Sequence, residues 1–233
     1  MKNRPAPVFK PPNYSDTQIA HMAGEVLASF SKDRGITLAP PIPVEDILEK
    51  HLKLTLKWEN MEKFLGESGI LGAAWIDENL VRVEGTLFGR FPGRYFFTLA
   101  HECGHWRIHR PLIIVDREMP TLFSKAADSK PPTFICRSDS KDKAEWQADK
   151  FAARLLMPEH MVRVAFAKLF PGGIRGPLQL CPPEKKDERK EWLLGPAREM
   201  IDKGGFSNCS REAMRNRIDD LKLVDFSGNG VLF

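Results

Sequence analysis

His101 and His105 stand four residues apart in "FTLAHECGHWRIH", residues 97–109, with Glu102 directly after the first histidine. On an α-helix, residues four apart share a face about one turn from each other. Both imidazoles can then aim a ring nitrogen at one ion. On a strand the same pair would sit roughly 13 Å apart and could not share it. Glu102 is turned about 100° around the helix axis from His101, which sets its carboxylate beside the ion rather than on it. There it can take a proton from water activated by the metal. Two nitrogen ligands with a base alongside are the division of labour of a metal-dependent hydrolase.

A catalytic zinc needs a third protein ligand and one open position. His109 continues the four-residue spacing but lies about 12 Å along the axis from His101, too far for three rings to meet at bonds near 2 Å. It is expected to cap or pack the helix. Position 111, where a further spaced histidine would fall, is Pro111. Glu145 is the better candidate: it opens a second apolar-periodic stretch, "AEWQADKFAARLLMP", and Asp149 follows four residues later on the same face. Glu145 is therefore expected as the third ligand. Asp149 reads either as an aspartate that orients a metal-bound histidine or as part of a solvated acidic face. Zinc is the expected metal, although a His/His/Glu set also accepts manganese and other divalent ions. The developing oxyanion would need a donor, for which Tyr95, His109 and His160 are the candidates.

The paired stretches "RYFFTLAHECGHWRIH" and "EWQADKFAARLLMP" resemble the ImmA/IrrE-type metallopeptidases. Their hallmark is an "FTLAHELGH" helix followed by an "E-x-x-A-N/D-x-F-A-A-x-L-L-M-P" helix. Carried over by position, the resemblance implies His101, His105 and Glu145 as metal ligands, Glu102 as general base and Asp149 as an orienting aspartate. It extends more weakly upstream and downstream, over most of residues 15–224. Cys103 sits where many members carry leucine or isoleucine. Many members also carry an N-terminal helix-turn-helix DNA-binding domain, and with the core expected from residue 15 none is expected here. Such proteins typically sit beside a repressor and relieve it. The implied function is a regulatory zinc endopeptidase that cuts a helix-turn-helix repressor encoded nearby. The alternative is a metal-stabilised interaction module that controls the repressor by binding alone, a role with no need for the base at Glu102.

These residues must be held by elements the rest of the chain supplies. From Ser15, apolar residues at Ile19, Met22, Ala23, Val26, Leu27 and Phe30 recur at helical spacing, with Ser15 or Asp16 as N-cap and Gly35 near the end. A short helix is expected over 44–51. Leu52, Leu54, Leu56 and Trp58 alternate as a half-buried strand, and "GILGAAWI" and "NLVRVE" read as two more joined by "DEN". After the two motif helices come a further helix to about Phe170 and two more near 187–203 and 210–222. The fold class is α+β: a zincin-like core with a small β-sheet, an HExxH helix and a helical C-terminal annex. The expected organisation is a flexible arm over 1–14, the core over 15–170 and the helical region over 171–233. Residues 110–143 read as a long surface loop able to line the cleft. Its Cys136 is either simply buried or close enough to reach the zinc as an inhibitory thiolate.

Composition closes off other classes. The chain has 233 residues, 28% of them charged, and a formal net charge of +4, with no basic stripe of the kind that reads nucleic acid. No apolar run is long enough for a membrane span and no signal-peptide core is seen. Four cysteines without a CxxC pair point away from a disulfide scaffold. A cytoplasmic protein that meets a protein substrate is expected, with no direct nucleic-acid or membrane partner.

Overall fold

Ser15 accepts a hydrogen bond from the backbone of Gln18, whose side chain returns to the Ser15 backbone. This capping box satisfies two otherwise orphaned donors and starts α1, Asp16–Arg34. Gly35, in the left-handed region at φ 62°, ends it. The computed structural model describes residues 11–112, 132–137 and 142–227. Of the arm expected over 1–14, residues 1–10 lie outside the described set, and the Pro12 carbonyl accepts a 2.6 Å hydrogen bond from Gln147 Nε2.

After α1 come α2, Val44–Asp46, with a π-helical turn at Ile47–His51, and β1, Thr55–Glu59. The strand starts later than its apolar alternation suggests, because Lys53 takes a positive φ of 59° and turns the chain between Leu52 and Leu54. A short helix follows that the sequence reading did not contain, α3, Met61–Leu65. Five residues are too few to show helical periodicity. Its signals are the caps: the Asn60 side chain accepts from Lys63 N, and Gly66 closes it in the left-handed region.

The two expected strands are β2, Ile70–Trp75, and β3, Leu80–Glu84, and they pair antiparallel. β1 lies parallel to β3, and the sheet order is β1-β3-β2-β4. The last strand, β4, Phe134–Arg137, falls inside the stretch expected to be one surface loop over 110–143. It pairs antiparallel with β2, Gly72 opposite Cys136 and Ala74 opposite Phe134. Four residues carry no readable period, so long-range pairing with β2 is what makes them a strand. Residues 113–131 and 138–141 of that stretch are outside the described set.

Both faces of the sheet are covered. Ala74, Val81, Val83 and Phe134 join the main core with α1 and the motif helices, while Ala73, Trp75 and Leu80 pack with Met61 of α3 on the other side. Two-sided burial explains why "GILGAAWI" reads as a continuous apolar run rather than an alternation.

The motif helices are α4, Pro92–Gly104, extended by a π-helical turn at His105–His109, and α5, Lys143–Leu156. Then come α6, Glu159–Leu169, β5, Ile174–Arg175, α7, Lys186–Asp202, α8, Arg211–Asp220, and β6, Val224–Asp225, which pairs parallel with β5. Leu193, Ala197, Met200, Met214 and Ile218 belong to the same buried cluster as α1 and α4. A Cβ at Gly93 would stand 2.6 Å from Ser210 N, so the bare glycine lets the start of α8 lie against the first turn of α4. The architecture is α+β, a small mixed sheet against a helical layer. No described helix is long and apolar enough to cross a membrane.

Candidate metal centre

Pro92 occupies the first turn of α4, where its missing N–H costs nothing and its fixed φ favours helix. From Thr98 to His105 every residue is buried, so this helix runs through the core rather than over it. Its close neighbour is α5, and Gly104 sets the distance: a Cβ there would stand 3.1 Å from Ala148 Cα and 3.2 Å from Phe151 Cβ. Glycine on one helix and alanine on the other let the backbones approach. That approach carries Glu145, in the first turn of α5, to the histidines of α4.

Three ligand-type side chains converge as a result. His101 Nε2 is 2.9 Å from His105 Nε2 and 3.2 Å from Glu145 Oε2, and His105 Nε2 is 3.1 Å from Glu145 Oε1. A tetrahedral ion with bonds of about 2.0–2.1 Å separates its ligand atoms by roughly 3.3 Å. The three side chains therefore fit a divalent metal, and they form a group that could hold one.

The electrostatics of His105 and Glu145 agree with that use, while His101, buried but beside Cys136, Asp149 and Glu145, is held well above the usual imidazole range. Burial drives the His105 imidazole down to about 3, so it stays neutral with a lone pair to give. Burial alone would raise Glu145, but its contacts with His101 and His105 outweigh it and hold the carboxyl at about 2. The helix N-terminus of α5 favours the same negative charge.

The far nitrogen of each histidine is also engaged. His101 Nδ1 lies 2.9 Å from Asp149 Oδ1, so with Nε2 facing the cluster the Nδ1–H donates to the aspartate. His105 Nδ1 lies 2.9 Å from His109 Nδ1, and His109 Nε2 lies 3.0 Å from Gln147 Oε1. One proton arrangement satisfies the chain. His105 Nδ1–H donates to His109, His109 Nε2–H donates to Gln147, and Gln147 Nε2 donates to the Pro12 carbonyl. His109, expected to cap or pack, instead orients His105 from a fully buried position. The π-helical turn that carries it is a distortion frequent at functional sites.

Glu102 stands apart from these networks. It is fully buried, and neither carboxylate oxygen has a hydrogen-bond partner among the described residues. Burial pushes its carboxyl up to about 8; His101 draws it down and the charge of Glu145 adds to the rise. Leaving a carboxylate buried and unsatisfied is costly, which marks the space beside it as one meant for another group. Gly72 keeps that space open, since a Cβ there would stand 2.7 Å from Thr98 Cγ2 and 3.2 Å from Glu102 Oε1.

Strand β4 supplies the opposite wall. The Phe134 ring stacks on His105, centroids 4.1 Å apart and planes at 16°. Two residues on, and so on the same face of the strand, Cys136 brings its Sγ within 4.8 Å of ligand-type atoms of His101 and Glu102. Phe134 and Gln147 had no signal in the sequence: both are ordinary residue types, identified only by what they touch. The oxyanion-donor candidates do not reach this space with a free donor. The Tyr95 hydroxyl donates to Glu45 at 2.7 Å and accepts from Trp58 at 3.1 Å, both His109 nitrogens are engaged, and His160 lines a different groove.

A groove bordered by Leu71, Phe97, Cys136, Trp146, Asp149 and Ala153 runs past the centre. The larger groove, lined by Asp16, Ser31, His160 and Arg163 among others, holds none of the candidate ligands.

Residues 91–171 match the family model described as Peptidase_M78, IrrE N-terminal-like domain. The matched segment contains α4, β4 and α5 and with them His101, Glu102, His105, Glu145 and Asp149, so the resemblance carried by the two motifs is shown over the segment that bears them. No curated protein matches the chain.

Proposed function

We propose that this peptidase-family chain is a zinc-dependent endopeptidase with His101, His105 and Glu145 as metal ligands, Glu102 as general base and Asp149 as the residue that orients His101. The observation that carries the reading is the convergence of three ligand-type side chains at 2.9–3.2 Å beside a buried carboxylate with no hydrogen-bond partner among the described residues. When bound, the metal supplies Lewis acidity at the open position of the set. Glu102 takes the proton of the attacking water and passes it to the leaving amine, work that a positioned carboxylate with a raised pKa is suited to do. Asp149 and His109 keep the two imidazoles presenting Nε2. A purely structural centre would have no use for an unsatisfied buried carboxylate at its side, which favours hydrolysis over control by binding alone. Zinc is the metal proposed, with manganese or another divalent ion the alternative.

The natural substrate proposed is a cytoplasmic helix-turn-helix repressor encoded nearby, cut at one site in an exposed linker, with general substrates such as casein cut poorly. An extended segment fits the groove along Leu71, Phe97 and Trp146, whose other walls carry charged residues such as Arg94 and Lys150, beside β4 at one edge of the described sheet, where strand addition would hold it. Co-expression with the neighbouring repressor, followed by mass measurement of that repressor, tests the assignment. One new pair of fragments supports it. An intact repressor alongside efficient cleavage of unrelated unfolded proteins would leave a general peptidase.

A further inference from the structure

The Sγ of Cys136 shares two neighbours with the proposed centre: it lies within 4.8 Å of a ligand-type nitrogen of His101 and of a carboxylate oxygen of Glu102. Cys136 is directly opposite Gly72 in the β2–β4 ladder, and residues opposite each other point to the same face of a sheet. A side chain at 72 would collide with Thr98 and crowd Glu102. Glycine at 72 thus clears one space that both the thiol and the carboxylate enter. The carboxylate is fully buried with neither oxygen partnered among the described residues, so the corner occupied by Cys136 is also the one built around an unsatisfied group.

The position of that corner is informative. The open coordination position of a His101–His105–Glu145 set has to lie next to Glu102, because the base must reach the group that reacts there. Cys136 is the thiol that approaches both Glu102 and a ligand histidine. A sulfur ligand at about 2.3 Å from the metal would stand roughly 3.5 Å from a neighbouring nitrogen ligand, and a shift of Cys136 toward His105 and Glu145, with which it is not grouped here, would complete the set. The other buried thiols, Cys103 and Cys209, belong to no such group among the described residues.

We propose that Cys136 is a reversible fourth ligand, closing the metal centre in a resting state and withdrawing to open it. The inference rests on the metal-centre reading of His101, His105 and Glu145. In the closed state the sulfur–metal bond replaces a water ligand, and the S–H proton passes to the unpartnered Glu102 carboxylate. Both the base and the open position are then unavailable for hydrolysis. Withdrawal reverses the exchange: the proton returns to sulfur, water re-enters and Glu102 is free to act. Strand β4 is the moving part best placed for this, since it stands at one edge of the sheet among the described residues and borders the groove through Cys136 itself. Loading of that groove would couple opening to the presence of substrate.

Cobalt(II) substitution reads the sulfur directly. Wild-type protein, Cys136→Ser and Cys136→Ala are loaded with cobalt in place of zinc, with His105→Ala as the control for the centre. Wild type is expected to show a thiolate-to-cobalt charge-transfer band in the near ultraviolet. Both Cys136 variants should lose that band while keeping the visible bands of bound cobalt. Their zinc affinity, measured by chelator competition, should fall by about tenfold or more, and their rate of peptide hydrolysis should rise. Cobalt bound by wild type without the charge-transfer band, or a band that survives in both variants, would overturn the fourth-ligand role and leave the three-ligand centre standing. Cobalt uptake that His105→Ala does not reduce would instead overturn the centre itself.

Discussion

His109 Nδ1 lies 2.9 Å from His105 Nδ1, and His105 Nε2 lies 3.1 Å from Glu145 Oε1. A residue that spacing excludes as a ligand supports a proposed one. His109→Phe keeps an aromatic ring against Phe134 and removes the acceptor, so metal affinity should fall by about 10- to 100-fold with the fold preserved. Chelator competition and circular dichroism measure the two. Affinity equal to wild type would make His109 a packing residue.

Asp149 does the same for His101 from the other side, with its side chain 52% exposed. Asp149→Ala is expected to weaken the metal by a similar 10- to 100-fold, and Asp149→Asn, which keeps an acceptor oxygen, should recover part of the loss. Unchanged affinity in the alanine variant would return Asp149 to a solvated acidic face.

Stoichiometry tests the set as a whole. Purified protein should carry about one zinc per chain, and His105→Ala and Glu145→Ala should each lose it by elemental analysis. A Glu145→Ala variant that binds as tightly as wild type would remove Glu145 from the ligand set.

Glu102→Gln separates the base from the ligands. The amide keeps the shape and removes the proton acceptor, so zinc content should persist while hydrolysis drops by roughly 10² or more. Relief of the repressor by a variant with no hydrolysis would favour control by binding alone.

Gly104 tests the close approach of α4 and α5. Gly104→Val places side-chain atoms where Ala148 and Phe151 already stand, and overpacking of this kind costs about 1–3 kcal/mol. Thermal unfolding should shift downward and zinc content should fall with it, because Glu145 is carried away from the histidines. A stable variant with full zinc would show that the helices can separate without loss of the site.

Much of this was legible in the sequence because it depends on local geometry. The four-residue spacing of His101 and His105 on an apolar helix is enough to aim two rings at one point, and Ser15, one of the two N-cap candidates, and Gly35 bound α1 through bonds between near neighbours. Glu145 could be nominated because it opens the next periodic helix. The parallel pairing of β1 with β3, the helix at Met61–Leu65 and strand β4 were not legible. Short segments carry too few residues to reveal a period, and a sheet's order is set by partners far away in the chain.

The sequence by itself determined which residues have the chemistry: two histidines, a glutamate between them and an acidic pair one helix later. Only the tertiary structure decided how they are used. The close contact of Gly104 with Ala148 brings Glu145 to the histidines, the ladder register sets Cys136 opposite Gly72, and the His105–His109–Gln147 chain fixes which His105 nitrogen faces Glu145. Those distances depend on backbone packing between segments tens of residues apart, and residue types and spacing carry no record of such packing.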